Sequence, residues 1–130
     1  MASGGELSRI ALAIAVTTSE LGQAQTLIFD EVDSGVGGAV AQTVGQLMRQ
    51  LGQDRQVMTV THLPQVAAFA DDHLVVSKRS ENGTALSMIE RVTGKTRVTE
   101  IARMLGGERL SGTTIAHATE MLAQSPAQNK

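Results

Sequence analysis

Two adjacent carboxylates follow a short apolar segment in the stretch TLIFDEVDSGVGG, which covers residues 26–38. The apolar residues before Asp30 and Glu31 are typical of a strand that is buried in a parallel sheet. A second β-rich segment, residues 57–61, leads directly to His62. Because ligands collect beyond the carboxyl ends of parallel strands, we expect the three side chains to converge on one edge of a sheet.

This combination of side chains suits phosphoryl chemistry. A carboxylate at a strand end can hold Mg²⁺, usually through water, because Mg²⁺ loses its hydration shell reluctantly. A neighbouring carboxylate can orient or deprotonate an attacking water, which typically contributes ~10²–10⁴-fold in rate. A histidine can donate a hydrogen bond to a terminal phosphate. Asp30, Glu31 and His62 are therefore candidates for these three roles.

Each signal also has a plainer interpretation. An Asp-Glu pair after a strand is often a solvated turn, and a single histidine after a strand is often structural. Ser3 and Glu6 have the spacing of a capping box, which begins many ordinary helices. His73 and His117 have no evident partners in the sequence and are interpreted as structural. The order and spacing of the signals, rather than any one of them, favour a functional site.

The composition bounds the remaining possibilities. The chain has 130 residues, 42% apolar content, a formal net charge of −2 and no cysteine. The absence of cysteine excludes disulfides and thiolate metal sites. With no basic block, no Trp and no Tyr, the chain is a poor candidate for the main nucleic-acid surface of any protein. No apolar run approaches the ~20 residues of a membrane span, so we expect a soluble cytoplasmic protein.

Periodicity and turn residues predict alternating helices and strands. Helical spacing is found near residues 6–19, 40–51, 64–70, 98–105 and 111–123, and β patterns at 26–29, 57–61, 74–78 and 84–92. Asn82-Gly83 predicts a hairpin turn, and Gly94 to Arg97 is interpreted as a polar connection. The order predicts an α/β sheet with a hairpin at one edge.

Several motifs together resemble one family. ASGGELSRI resembles the signature motif of ABC-type ATPases, TLIFDE resembles their Walker B strand, and VMTVTH resembles their strand that ends in a switch histidine. With FDEVDSGVGG, THLPQVAAFAD and EIARMLGG, the chain is most similar to the RecN family of SMC-like bacterial DNA repair proteins, across residues 2–123.

The resemblance implies a fold and a set of roles. The fold would be a partial P-loop NTPase of the ABC/SMC head type, with residues 1–130 forming a C-terminal lobe fragment and 124–130 a frayed tail. Asp30 would support Mg²⁺, Glu31 would be the general base and His62 the γ-phosphate switch. The signature residues would contact ATP, an assignment that also suits the orphan N–H groups of a helix N-terminus; they are Ser3, Gly4, Gly5 and Glu6.

The resemblance also implies partners, because the sequence contains no G-x-x-x-x-G-K-[ST] phosphate loop. In the family that loop lies in an N-terminal half, which folds together with the C-terminal half into one head. ATP then joins two heads into a dimer, and hydrolysis releases them. The implied function is ATP hydrolysis in double-strand-break repair and recombination, with cytoplasmic, nucleoid-associated location and DNA contacted mainly by other parts. The fragment alone is expected to be inactive.

One departure and two alternatives remain open. Related SMC proteins and transporters carry an aspartate in the loop after Walker B where this chain has Gly37, so contacts of that loop across the dimer are in doubt, and Asp33 is the residue that could compensate. The first alternative is a transporter nucleotide-binding subunit, which the DEVDSGVGG loop disfavours. The second is a catalytically inert interaction module, which the retained Ser3, Asp30, Glu31 and His62 disfavour.

Overall fold

The computed structural model describes residues 13, 24–31, 33–106 and 110–124. Within these ranges no helix is both long enough and apolar enough to span a bilayer. The first four elements alternate between strands and helices, and a hairpin and two helices follow them, in the predicted order. In chain order they are β1 (Thr26–Asp30), α1 (Gly38–Leu51), β2 (Gln56–Val60), α2 (Pro64–Ala67), β3 (His73–Glu81), β4 (Thr84–Val92), α3 (Gly94–Gly106) and α4 (Gly112–Gln124).

Strands β1 and β2 pair in parallel, and α1 is the crossover between them. The register runs from Thr26 opposite Gln56 to Asp30 opposite Val60. Both strands therefore end at the same edge of the sheet. This pairing is what brings the chain after β1 close to the chain after β2, although 30 residues separate them along the register, as in Thr26 and Gln56.

One face of this strand pair is covered and the other is bare. Phe29 is buried under α1 and the loop that precedes it, within the first core cluster, whose other buried members are Val36, Ala41, Val44, Met48, Leu51 and Val66. On the opposite face Ile28 is 69% exposed, Met58 46% and Val60 55%. The expectation that residues 26–29 form an all-buried strand is therefore wrong, because in the described part of the chain only one layer of helix packs on this sheet.

A second cluster joins the two C-terminal helices to α2. Its buried members are Ala67, Ala68, Ile101, Ala102, Ala118 and Leu122. These side chains are mostly small, so the helices approach closely; a Cβ on Gly106 would lie 3.1 Å from the side chain of Thr114. Helix α2 contributes Val66 to the first cluster and Ala67 to the second, and so it is the element that both cores share.

Two arginines hold the carbonyl groups at the end of α2. Arg97 of α3 donates to the oxygens of Ala67 at 3.2 Å and Ala70 at 2.7 Å, and Arg49 of α1 donates to the oxygen of Phe69 at 3.2 Å. Cations at a helix C-terminus satisfy its free carbonyls and interact favourably with the helix dipole. The contacts tie this short helix to α1 and α3, and with it the turn that carries His62.

Arg97 also affects the pKa of His73, the first residue of the hairpin. Burial lowers the pKa of Arg97 from its ordinary value, with Asp71 and then Asp72 acting in the opposite direction. Burial also lowers the pKa of His73, the charge of Arg97 lowers it further, and Glu100 raises it. A histidine with a lowered pKa is neutral at pH 7, which agrees with the structural interpretation of His73.

The hairpin and the helix boundaries test the local predictions. Asn82 and Gly83 both have positive φ, 51° and 77°, as the predicted two-residue turn requires. Ser111 caps α4, since its hydroxyl oxygen accepts the N–H of Thr114 at 3.1 Å. The interpretation of Gly94 to Arg97 as a connection is wrong: α3 begins at Gly94, and its first turn is closed by reciprocal bonds between Thr93 and Thr96.

Gly45 allows the close packing of α1 on the segment after α2. A Cβ at this position would lie 2.5 Å from Cδ2 of Phe69 and 3.1 Å from the backbone oxygen of Gln65. Helix propensity alone predicts that Gly45→Ala would stabilise α1 by about 1 kcal/mol. We expect the opposite sign, a net loss of about 1–2 kcal/mol in the free energy of unfolding, because overpacking costs about 1–3 kcal/mol.

Gly38→Ala is the matched control for urea unfolding. Gly38 also lies in α1, but a Cβ there would meet only Nε2 of Gln65, at 3.7 Å, which is an ordinary contact. This control should unfold at the urea concentration of the unsubstituted chain or slightly above it. A Gly45→Ala chain as stable as the control would show that the ring of Phe69 does not limit this packing.

Candidate functional site

Asp30 and Glu31 lie at the carboxyl end of β1, as predicted. Asp30 is the last residue of the strand, opposite Val60, and Glu31 follows it directly. Both side chains are exposed. The pair therefore stands at the open edge of the parallel sheet, where its carboxylates can meet a ligand rather than the protein interior.

The backbone at Glu31 is in the left-handed region, with φ of 53°. Its N–H donates to the oxygen of Val60 at 3.0 Å, and its carbonyl accepts the N–H of Ser34 at 3.1 Å. Non-glycine residues held in this region cost about 1–3 kcal/mol and persist only where the surrounding structure fixes them. Sheet pairing thus extends one residue beyond β1, and the chain then turns sharply at Glu31.

His62 lies at the end of the neighbouring strand, two residues beyond β2, and is exposed. The turn that carries it is fixed on its far side, where the N–H of Leu63 donates to the hydroxyl oxygen of Thr61 at 3.0 Å. Helix α2 begins at the next residue, Pro64. The structure therefore places His62 and the Asp30-Glu31 pair on adjacent strand ends at one edge, which is the arrangement that the sequence predicted.

A buried acid links these two strand ends, and sequence reasoning gave it no such role. The side chain of Asp33 has 0% exposure, and its Oδ2 accepts a hydrogen bond from the hydroxyl of Thr61. The loop is folded around it by a backbone bond from the N–H of Val36 to the carbonyl of Asp33, at 3.2 Å. No local sequence pattern predicts the bond between Asp33 and Thr61, because 28 residues separate them.

The loop after β1 holds Asp33 and Gly37 in different environments. The carboxylate of Asp33 is fully buried and bonded to Thr61 of the same chain. Gly37 is exposed and precedes α1 with φ of −81°, an ordinary value for any residue. Gly35, with φ of 77°, is the loop position whose backbone favours glycine.

The signature motif lies outside the described residues. This applies to Ser3, Gly4, Gly5 and Glu6, whose assignment as ATP-binding residues stays a prediction.

Asp30 is the residue predicted to support Mg²⁺, and the described residues limit the kind of site that it could form. They contain no group of three or more His, Asp or Glu side chains that could hold an ion by themselves. Mg²⁺ bound with nucleotide typically takes one or two carboxylates, with water and phosphate oxygens as its other ligands. The adjacent exposed carboxylates of Asp30 and Glu31 are consistent with that pattern rather than with an all-protein cage.

The chain is similar to DNA repair proteins of known name. It is 45% identical over 122 residues to the DNA repair protein RecN of Vibrio cholerae, covering 94% of this chain and 22% of the relative. Identity is 46% over 126 residues to RecN of Streptomyces coelicolor and 42% over 125 residues to RecN of Bacillus subtilis. These two alignments include 97% and 96% of this chain, and each includes 22% of the relative. It thus spans about a fifth of the length of the curated relatives that it matches.

Solved structures supply the fold. A chain from work on ATP-driven dimerization and DNA-stimulated activation of SMC ATPases matches with a TM-score of 0.66 and 19% identity, covering 83% of this chain and 65% of that one. The Smc head domain of Pyrococcus yayanosii, solved with a coiled coil and joint, matches with a TM-score of 0.67 and 20% identity, covering 84% of this chain and 20% of that one. No protein-family model matches the chain.

The sequence and structural similarities agree with the geometry at the strand ends. The SMC head neighbours bear out the predicted P-loop NTPase class, and the described residues contain its parallel strand pair, flanking helices and hairpin. Among these residues the hairpin forms a separate two-stranded sheet rather than the edge of the parallel sheet. The chain is therefore a homologue of the DNA repair protein RecN over nearly its whole length, spanning about a fifth of that protein and carrying part of an SMC-type ATPase head fold.

Proposed function

We propose that this chain is the C-terminal part of the ATP-hydrolysing head of a RecN-like protein that acts in double-strand-break repair and recombination. The observation that carries the proposal is the placement of Glu31 and His62, both exposed, on the ends of two paired parallel strands. RecN relatives at 42–49% identity support the repair function. A repair protein of this kind would be located in the cytoplasm, in association with the nucleoid.

In this proposal the rim residues divide the chemistry of hydrolysis. Glu31 accepts a proton from the attacking water as the water approaches the terminal phosphate, and its left-handed backbone sets the direction in which its Cα–Cβ bond leaves the strand end. His62 donates a hydrogen bond to that phosphate and stabilises the charge that develops there. Asp30 would hold Mg²⁺, and the bound ion would neutralise phosphate charge.

The proposed site is shared with two other partners. The phosphate-binding loop would come from the N-terminal half of the same head, and the bare sheet face of Ile28, Met58 and Val60 supports an additional layer there, because contiguous exposed apolar surface marks interfaces. The signature residues Ser3, Gly4, Gly5 and Glu6 would contact ATP held by a second head. Work on SMC ATPases of matching fold describes ATP-driven dimerization and DNA-stimulated activation, which supports a head dimer.

The first prediction concerns the chain in isolation. We expect no ATP turnover above background, because no segment of the sequence can grip the phosphates as a G-x-x-x-x-G-K-[ST] loop does. Adding the N-terminal half of a RecN relative should restore Mg²⁺-dependent phosphate release in a malachite green assay. The same half with its phosphate-loop lysine replaced by alanine should not, and robust turnover by the isolated chain would refute the shared site.

The second prediction concerns Glu31 in a full-length protein. The assay protein is a RecN chimera, in which this chain replaces the segment that it matches in Vibrio cholerae RecN. Glu31→Gln should lower kcat about 10²-fold or more, because the amide cannot accept the proton from water. ATP binding and ATP-dependent dimerisation should persist, as judged by size-exclusion chromatography with light scattering. Glu90→Gln, the same change at an exposed hairpin position, is the control; equal turnover in both variants would remove Glu31 from the base role.

The third prediction separates stability from activity at the same position. Glu31→Gly should raise the free energy of unfolding by up to about 1 kcal/mol, because glycine relieves the left-handed strain of about 1–2 kcal/mol and returns part of that gain as unfolded-state entropy. Hydrolysis by the RecN chimera should be lost with the side chain. Asp30→Gly, one residue earlier in extended backbone, should destabilise the chain by about 0.5–1 kcal/mol. Equal destabilisation by the two glycines would show that Glu31 stores no strain.

A further inference from the structure

The carboxylate of Asp33 is buried at a position where an apolar side chain would be less costly. It is fully inaccessible, its Oδ2 is bonded to the hydroxyl of Thr61, and its Oδ1 has no hydrogen-bond partner in the described part of the chain. Burying a carboxylate that is only partly satisfied opposes folding. Stability alone therefore does not account for an acid here, and its position relative to the strand ends suggests what does.

Two hydrogen bonds join the segment after β1 to the two residues just before His62. The N–H of Glu31 donates to the oxygen of Val60 at 3.0 Å, and the hydroxyl of Thr61 donates to Asp33. The proposed base, Glu31, makes the first of these hydrogen bonds, and Asp33, two residues later, makes the second. Their partners, Val60 and Thr61, immediately precede His62, which is proposed to donate a hydrogen bond to the phosphate.

The hydroxyl of Thr61 is bonded on both of its sides. It donates to Asp33 and accepts the N–H of Leu63 at 3.0 Å, so one oxygen atom connects the loop after Glu31 to the turn that contains His62. Leu63 precedes α2, which is itself held by Arg49 and Arg97. These two bonds restrain the backbone of the turn that contains His62 relative to the loop that follows Glu31.

We propose that Asp33 and Thr61 are positioning residues for ATP hydrolysis, which set the separation of Glu31 from His62 through the buried carboxylate-hydroxyl bond. The inference rests on the proposed function of this edge as the hydrolytic site. Neither residue touches the nucleotide in this proposal; they act through the two residues that do. Reacting groups need near-attack geometry, and a displacement of 1 Å can cost about 10²-fold in rate.

The test compares two replacements of Thr61 in the full-length RecN chimera. Thr61→Val keeps the shape of the side chain and removes the hydroxyl, so we expect kcat to fall about 10–100-fold while the KM for ATP changes less than about twofold. Thr61→Ser keeps the hydroxyl and should restore kcat to within about threefold of the unsubstituted protein. A purely structural role would not produce this split between kcat and KM together with rescue by serine.

Two controls complete the design. Thr59→Val removes a hydroxyl from the same strand, where the partner is the sulfur of Met48 at 3.5 Å, and should leave kcat unchanged. Asp33→Asn weakens the hydrogen bond from Thr61 by removing the charge of its acceptor, and it should lower kcat about threefold or more. It decides the question if Thr61→Val does not fold at the assay temperature, as judged by its thermal unfolding midpoint.

The outcomes separate this inference from the function on which it rests. Unchanged kcat in folded Thr61→Val, an equal loss in Thr61→Ser, or unchanged kcat in Asp33→Asn would overturn the positioning role. If the unsubstituted chimera hydrolyses ATP and Glu31→Gln abolishes that turnover, such a result removes only the positioning role. If the unsubstituted chimera shows no Glu31-dependent hydrolysis, the proposed function fails and this inference fails with it.

Discussion

The parallel pairing of β1 with β2 is the constraint on which the candidate site depends. Parallel strands need a crossover, and α1 supplies it while burying one face of the pair. With Asp30 opposite Val60, the residues that follow each strand have no choice but to leave from the same edge. A slip of one residue in this register would turn Phe29 out of its core, so burial of that side chain also fixes which residues reach the edge.

Sequence reasoning placed most of the elements and the exposed site residues, because their signals are local. The apolar stripe of α1, the Asn82-Gly83 turn and the strand-end positions of Asp30, Glu31 and His62 all follow from periodicity or turn chemistry over a few residues. The bond between Thr61 and Asp33 has no such signal, since it exists only once β1 and β2 are paired. The start of α3 at Gly94 was missed because Gly94 begins it in a left-handed conformation and Thr93 closes the turn from outside the helix.

The prediction that residues 26–29 are buried on both faces was also wrong, and the reason is physical. A strand such as residues 26–29 has the composition of one that is covered on both sides, and composition reports the environment for which a sequence is suited. In the described part of the chain, Ile28, Met58 and Val60 have a helix layer only on the opposite side of their sheet. The disagreement between pattern and burial is therefore informative: it marks the side from which further structure is expected in the proposed head.

The proposed division of the site between segments has a mechanistic consequence. In that proposal Glu31, which is exposed at the strand end, acts on water only when another segment holds a phosphate within its reach. The bonds from Glu31 to Val60 and from Thr61 to Asp33 then matter to the proposal, because they hold the backbones of the two strand ends together before a nucleotide arrives. The strained backbone of Glu31 opposes folding, whereas its sheet bond to Val60 and the packing of α1 favour folding. We infer that the head tolerates this strain because the turn it produces leaves the side chain of Glu31 free at the edge, where assembly of the remaining parts would complete the site.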